Sequence, residues 1–304
     1  MLRFIGERVA QAILVMIGVT IVVFILTRLS GDPAVLMLGP TATNEQIADM
    51  RQRLGLDEPL AIQYLRFVAD AARGDFGTSI RFREPALGLV LSRLPATAEL
   101  GAASLLVGLL VAVPAGIVSA YNPGRFVDRL GMAIALFGYS VPTFWLGILL
   151  ILVVSVNLRL LPASGRSGLD SLVLPAITLG FFWTAILARI LRRSLLGVLH
   201  TDYIRTAQAK GLTDFRILVR HALKNAAIPV ITVFGLQLGV LIGGAVITET
   251  VFAWPGMGLL VVNAILARDF PVVQAFVAVT ALTVVALNLA TDLVYLYLDP
   301  RIRQ

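Results

Sequence analysis

Six apolar runs dominate the sequence, at residues 9–26, 97–120, 130–156, 172–191, 226–248 and 272–296. Each is about as long as the stretch of roughly 20 residues that an α-helix needs to cross a bilayer. Composition points the same way. The chain is 58% hydrophobic and 14% charged, whereas soluble domains run at about 45–50% apolar and about 25% charged. No aqueous core is large enough to hide that excess. The chain reads as an all-α integral membrane protein with six crossings, which places both termini on one side.

The run at 9–26 follows a short basic leader. It exceeds the usual core of a signal peptide and lacks a small-residue cleavage site, so it reads as a retained helix. Residues 30–93 form the one long polar stretch, with helical spacing at 44–53 and 60–72 and a turn at 74–78. About sixty residues is marginal for an independent core, so this segment is expected to pack on the membrane domain or on a partner. Arginines and lysines in short loops set the orientation. Arg125 and Arg129 share one loop, residues 189–224 supply eight basic side chains, and Arg301 and Arg303 close the tail. The loops around Arg159, Arg166 and Arg268 are poor in positive charge. Both termini and residues 202–229 are therefore expected in the cytoplasm, with 30–93 outside.

Residues 202–229 are the longest polar and basic passage in the second half of the chain. They read as two short helices with a break. Thr201 or Asp202 is placed to cap the first, and Gly211 to end it in a left-handed conformation. Thr213 or Asp214 starts the second. Arg216, Arg220 and Lys224 recur every four residues and share a helical face. Like charges at that spacing cost roughly 0.2–0.5 kcal/mol per pair, so anionic lipid or an acidic partner protein should face them.

Several chemistries are excluded. The net charge of +7 comes without the interleaved aromatics of a nucleic-acid surface. There is no cysteine, and the two histidines, His200 and His221, do not make a metal cage. No phosphate-cradling loop, nucleophile elbow or zinc-protease helix occurs. Glu99, Arg189, Glu249 and Asp292 fall near the ends of the runs. The ionisable group near the midplane that a proton-coupled carrier would use is missing. A self-contained carrier or a membrane-embedded enzyme is thereby disfavoured.

Arg205-Thr206-Ala207, three further residues and Gly211 resemble the cytoplasmic EAA loop of bacterial ABC importer permeases, with Arg-Thr in place of the usual Glu-Ala. The proline of the wider pattern is delayed to Pro229. Both departures are typical of the dipeptide/oligopeptide/nickel branch. Other stretches resemble the same branch: the leader with Gly31-Asp32-Pro33, LGLDEPL at 54–60, GDFGTS at 74–79 and RLPATAEL at 93–100. They continue with SVPTFWLG at 140–147, LPASG at 161–165, VFAWPGMG at 251–258 and LDPRIR at 298–303. The chain is similar to the first (B-type) permease subunit of such an importer.

That resemblance implies a type-1 importer permease fold in the bacterial inner membrane. Residues 1–29 would form the first transmembrane helix and 30–94 an external, periplasmic segment. A five-helix core at 95–297 would carry a coupling loop at 201–225, followed by a cytoplasmic tail at 298–304. Implied partners are a second homologous permease, cytoplasmic ATPase subunits that bind ATP and magnesium, and a periplasmic or lipid-anchored substrate-binding protein. The chain itself would bind no cofactor and perform no catalysis. The resemblance assigns ATPase coupling to Asp202, Tyr203, Arg205, Thr206, Ala207, Ala209, Lys210 and Gly211. Gln237, Thr178 and Thr280 are the polar candidates for the substrate pathway. Relatives carry dipeptides, longer peptides, nickel chelates, glutathione or opine-like compounds.

Overall fold

The computed structural model describes residues 2–29, 33–38, 42–53 and 55–298. The chain is helical: α1 (Leu2–Leu29), α2 (Pro33–Leu38), α3 (Asn44–Arg53), α4 (Leu60–Ala72), α5 (Ala86–Tyr121), α6 (Phe126–Ser140), α7 (Thr143–Leu150), α8 (Leu169–Leu199), α9 (Asp202–Ala209), α10 (Asp214–Ile217), α11 (Leu223–Val251), α12 (Met257–Leu266) and α13 (Phe270–Leu298). A π-helical stretch continues α7 over Ile151–Asn157, and another joins α10 to α11 over Leu218–Ala222. Gly31, Asp32 and the tail from 299 onward lie outside the described residues.

By length and composition, four described helices suit a crossing: Ala86–Tyr121, Leu169–Leu199, Asp214–Gly235 and Phe270–Leu293. Within α1 the apolar part is shorter, Ala10–Ile25. The run expected as one helix at 130–156 is instead two, Phe126–Gly138 and Thr143–Asn157, bent by 102°. Pro142 explains the break. It has no N–H to continue a helix and pushes the residue before it out of the helical region, and Val141 is extended at φ −80°, ψ 124°. Among the described residues, four helices, or five spans with the bent pair, are thus long and apolar enough to cross, beside the shorter apolar part of α1.

The chain divides into two compact units, Met1–Pro95 with Leu259–Ala286, and Ala96–Gly258 with Leu287–Gln304. In the first, α4 lies against α1. Phe24 meets Tyr64 edge-on at 5.5 Å and Phe67 at 6.0 Å, and the Tyr64 and Thr20 hydroxyls are 3.0 Å apart. The polar segment thus packs on an apolar helix, as its small size required. After α4, the turn at 78–85 is closed by a bridge between Thr78 and Pro85. Buried Asp269 accepts hydrogen bonds from the Ser79 hydroxyl and from the Ile80 and Arg81 amides, the last two at 3.1 and 3.3 Å.

The second unit is built around α8. Leu174, Leu179, Trp183, Leu187, Leu191 and Leu195 are all buried, and α6, α7 and α11 each pack on this helix. Lipid supplies little hydrophobic drive for helices to associate, so close approach through small residues matters most. A Cβ on Gly180 of α8 would lie 2.6 Å from the Ser104 carbonyl of α5, and one on Gly116 of α5 would lie 3.0 Å from the Ala188 carbonyl of α8. On α11, a Cβ on Gly244 would approach Leu179, while one on Gly243 would meet open space.

This contact is testable. Overpacking a close helix crossing costs about 1–3 kcal/mol. Gly180→Leu should therefore lower the thermal unfolding midpoint in detergent, whereas Gly197→Leu on the same helix, where a Cβ meets nothing within 4 Å, should leave it near the parent. Equal midpoints for both variants would contradict the packing assigned to Gly180.

Candidate functional site

The polar passage after α8 folds as a helix, a turn and a second helix. Thr201 occupies the N-cap position of α9, but its hydroxyl donates back to the Val198 carbonyl at 2.6 Å instead of capping α9. At the other end, Gly211 adopts φ +75°. Its amide bonds to the Gln208 carbonyl at 2.9 Å, and the Leu212 amide to the Ala207 carbonyl at 3.3 Å. These two bonds form a Schellman motif, with its usual apolar contact between the flanking residues. Leu212 packs against the cluster that holds Ala207.

α9 therefore has two unlike faces. Ile204 and Ala207 are buried together with Leu195, Ile217 and Ala120 in the core of the second unit. Asp202, Tyr203, Arg205, Thr206, Ala209 and Lys210 are exposed, as is Gly211. Arg205 reaches Asp202 along the helix at 3.4 Å, an exposed contact of little energetic weight. The Tyr203 hydroxyl accepts from Asn225 at 2.8 Å and so ties α9 to the first turn of α11. Of the eight residues assigned to the coupling loop, Ala207 faces inward and holds the helix down. The others lie on its outer side or at its end.

Arg216, Arg220 and Lys224 are all exposed, and among the described residues none makes an ion pair with an acid. The π-helical stretch over Leu218–Ala222 interrupts the α-helical spacing that put them on one face. Phe215 and Val219 are exposed beside them, which makes this surface both basic and apolar.

The pathway candidates lie on different elements. Thr178 is buried, and its hydroxyl donates to the Leu174 carbonyl within α8. A Cβ on Gly147 would touch the Thr178 methyl group and Phe252, so Thr178 is part of a helix contact. Thr280 belongs to the other unit, and its hydroxyl is buried without a partner. The side chain of Gln237 lies outside the described residues. Among the described residues no cluster of three or more histidine and acidic side chains is arranged to hold a metal ion.

Among the described residues the fold buries three carboxylates, Asp269, Asp128 and Glu249. Asp128 makes a two-pronged pair with Arg192, at 2.6 and 2.7 Å, and also accepts from the Gly124 amide at 2.8 Å. Glu249 is fully buried, accepts from the Thr97 hydroxyl and the Gly258 amide, each at 2.6 Å, and fills the space where a Cβ on Gly256 would stand. Trp254 adds a bond from its indole to the Ala96 carbonyl, and Arg166 joins Glu99 at 2.6 Å. The VFAWPGMG stretch is thereby knitted to α5. Partners this far apart in sequence carry no local signal, although an acid flanked by apolar residues is the hint available.

Similarity to known proteins accords with this architecture. The family model described as binding-protein-dependent transport system inner membrane component matches residues 112–304, and the model for the N-terminal part of such components matches 1–101. The probable D,D-dipeptide transport system permease protein DdpB of Escherichia coli is 43% identical, covering 97% of this chain and 96% of its own. The dipeptide transport system permease protein DppB of Alkalihalophilus pseudofirmus is 42% identical over the whole of both chains. The glutathione transport system permease protein GsiC of Salmonella paratyphi A is 41% identical over 100% of this chain and 99% of its own. A solved inward-facing structure of the MetNI methionine ABC transporter shares the fold, with a TM-score of 0.59 and 19% identity over 69% of this chain and 96% of that one. The chain belongs to the binding-protein-dependent transport system inner membrane component family, whose members are multi-pass permease subunits and not themselves enzymes.

The Schellman turn carries a local prediction. A Cβ on Gly211 would meet open space, so only its backbone conformation penalises substitution, by about 1–2 kcal/mol for most residues and less for asparagine. Gly211→Val should speed tryptic cleavage at Lys210 by about 10-fold, since 1.4 kcal/mol is a factor of ten in an opening equilibrium. Gly211→Asn should stay close to the parent. Unchanged cleavage in the valine variant would show that the turn does not need the left-handed residue.

Proposed function

We propose that this member of the binding-protein-dependent permease family forms half of the translocation pathway of an ATP-driven importer of dipeptides or short oligopeptides. The observation that carries the reading is α9, a short helix anchored by Ile204 and Ala207 that turns an exposed outer face, Arg205, Thr206 and Ala209 with Tyr203 at its edge, away from the core of its unit. That face is suited to a groove on a cytoplasmic ATPase subunit, which would bind ATP and magnesium. This chain would contribute no catalytic group. A second, homologous permease would complete the pathway, and a periplasmic or lipid-anchored binding protein would deliver the solute. The full-length relatives named for dipeptide transport favour a peptide cargo, and the one named for glutathione makes that tripeptide the alternative.

In this reading both termini and α9 are cytoplasmic and residues 30–94 are periplasmic, in accord with the segregation of basic residues among short loops. Arg216, Arg220 and Lys224, beside exposed Phe215 and Val219, would meet the headgroups of the inner leaflet. ATP binding on the partner would supply the differential affinity that moves the permease between its two states.

Topology is checked with single cysteines in a chain that has none of its own. In intact cells with a permeable outer membrane, an impermeant thiol reagent should label Asp57→Cys and leave Thr213→Cys unlabelled. The reverse pattern would refute the orientation. Docking is checked in the complete importer reconstituted in liposomes with a dipeptide as probe. Thr206→Trp, on the outer face of α9, should weaken ATPase association and reduce uptake by about 10-fold, in keeping with a misfit of roughly 1.4 kcal/mol at a packed contact. Glu45→Ala in α3 should transport like the parent. Parental uptake by Thr206→Trp would remove α9 from the ATPase contact.

A further inference from the structure

We propose that Asp128 and Arg192 form a clasp that passes displacement of α9 to α6, and through α6 to the break at Val141–Pro142. Both are positioning residues in the transport cycle. The proposal rests on the assignment of α9 to the ATPase contact.

The choice of partner is the first argument. Asp128 has Arg129 beside it and Arg125 one turn earlier, yet both of those arginines are exposed. It pairs instead with Arg192, 64 residues away on α8. Neutralising a carboxylate would not require that arrangement, whereas fastening two helices does. The Asp128 side chain is only 4% exposed and Arg192 25%, so water does little to loosen the pair. A two-pronged arginine–carboxylate contact fixes orientation as well as distance. The Gly124 amide on the same carboxylate extends the fastening to the turn between α5 and α6.

The second argument is where the clasp sits. Arg192 lies on the end of α8 whose Leu191 and Leu195 share a core with Ile204 and Ala207 of α9, so α9 cannot shift without that end of α8. α6 packs along α8, and much of the rest of its surface is uncovered. Phe126, Val127, Leu130, Ile134, Leu136 and Phe137 are exposed. Its glycines lie close to neighbouring groups, Gly131 to the Ser119 hydroxyl and Gly138 to the Phe181 ring. Asp128 is thus the polar anchor at the end of α6 nearest to α9. At its other end α6 stops at Ser140, the axis turns by 102° into Thr143–Asn157, and Gly147 of α7 lies against Val251 and Phe252 at the end of α11. A push on α9 therefore reaches the far end of the unit through α8, the ion pair, α6 and the break.

The test separates transmission from mere stability by reading ATP hydrolysis and dipeptide uptake in the same reconstituted importer. Arg192→Lys keeps the charge and loses the two-pronged geometry. It should assemble with the ATPase in parental amount and hydrolyse ATP at a near-parental rate, while dipeptide taken up per ATP falls about 5-fold or more, the low end of typical coupling between sites. The exchanged pair Asp128→Arg with Arg192→Asp should recover more of that ratio than Asp128→Arg alone. The clasp is overturned if Arg192→Lys keeps the parental ratio. It is also overturned if uptake and hydrolysis fall together in proportion to the complex recovered, which is what a purely stabilising pair would do. If the parent importer itself shows no ATP-dependent dipeptide uptake but remains assembled, the cargo assignment has failed. In that case the ratio is read with glutathione as the probe and judged by the same two outcomes.

Discussion

Backbone amides and carbonyls that enter hydrocarbon have no water to bond, so the polypeptide must satisfy them within each segment. The long helices of this chain meet that requirement, and the remaining features follow from how they are held together. With lipid as apolar as leucine, burial alone does not choose partners for a helix. Contact is chosen where backbones come close, as at Gly116 against Ala188 and Gly180 against Ser104. These approaches make α8 the axis of its unit, and the row of buried leucines from Leu174 to Leu195 follows from its central place.

The same constraint explains where the polar groups went. A carboxylate taken from water costs several kcal/mol unless donors surround it, and each buried acid here sits at a helix end where loop amides are available. Asp269 takes two amides and a hydroxyl, Glu249 an amide and a hydroxyl, and Asp128 an amide and an arginine. Helix ends are also where a permease must change direction and meet other proteins. The groups that make reversal possible in a membrane are therefore well placed to make it rigid. α9 shows the pattern in miniature: a Schellman turn and two buried side chains secure a helix whose other face is left available.

The chain is similar over its full length both to a permease named for dipeptides and to one named for glutathione. The fold persists at 19% identity in a methionine transporter. The requirement that helices in lipid satisfy their own backbone can be met by many sequences.

Much of this molecule was legible in the sequence because its determinants are local. Apolar runs mark helices, α3 and α4 end where their spacing ends, and Gly211 signals a left-handed turn whatever surrounds it. The break at Pro142 was present in the sequence too, but the continuous apolar run around it masked the effect of the missing amide and the extended Val141. Tertiary structure decided the rest. It turned Ala207 inward, used Thr178 for packing, drew the Thr201 hydroxyl back to Val198, and joined Asp128 to Arg192, Glu249 to Thr97 and Asp269 to Ser79. Periodicity records which side of a helix is apolar. Which neighbour meets that side, and which distant donor reaches a buried carboxylate, depends on how helices far apart in the chain come to lie together.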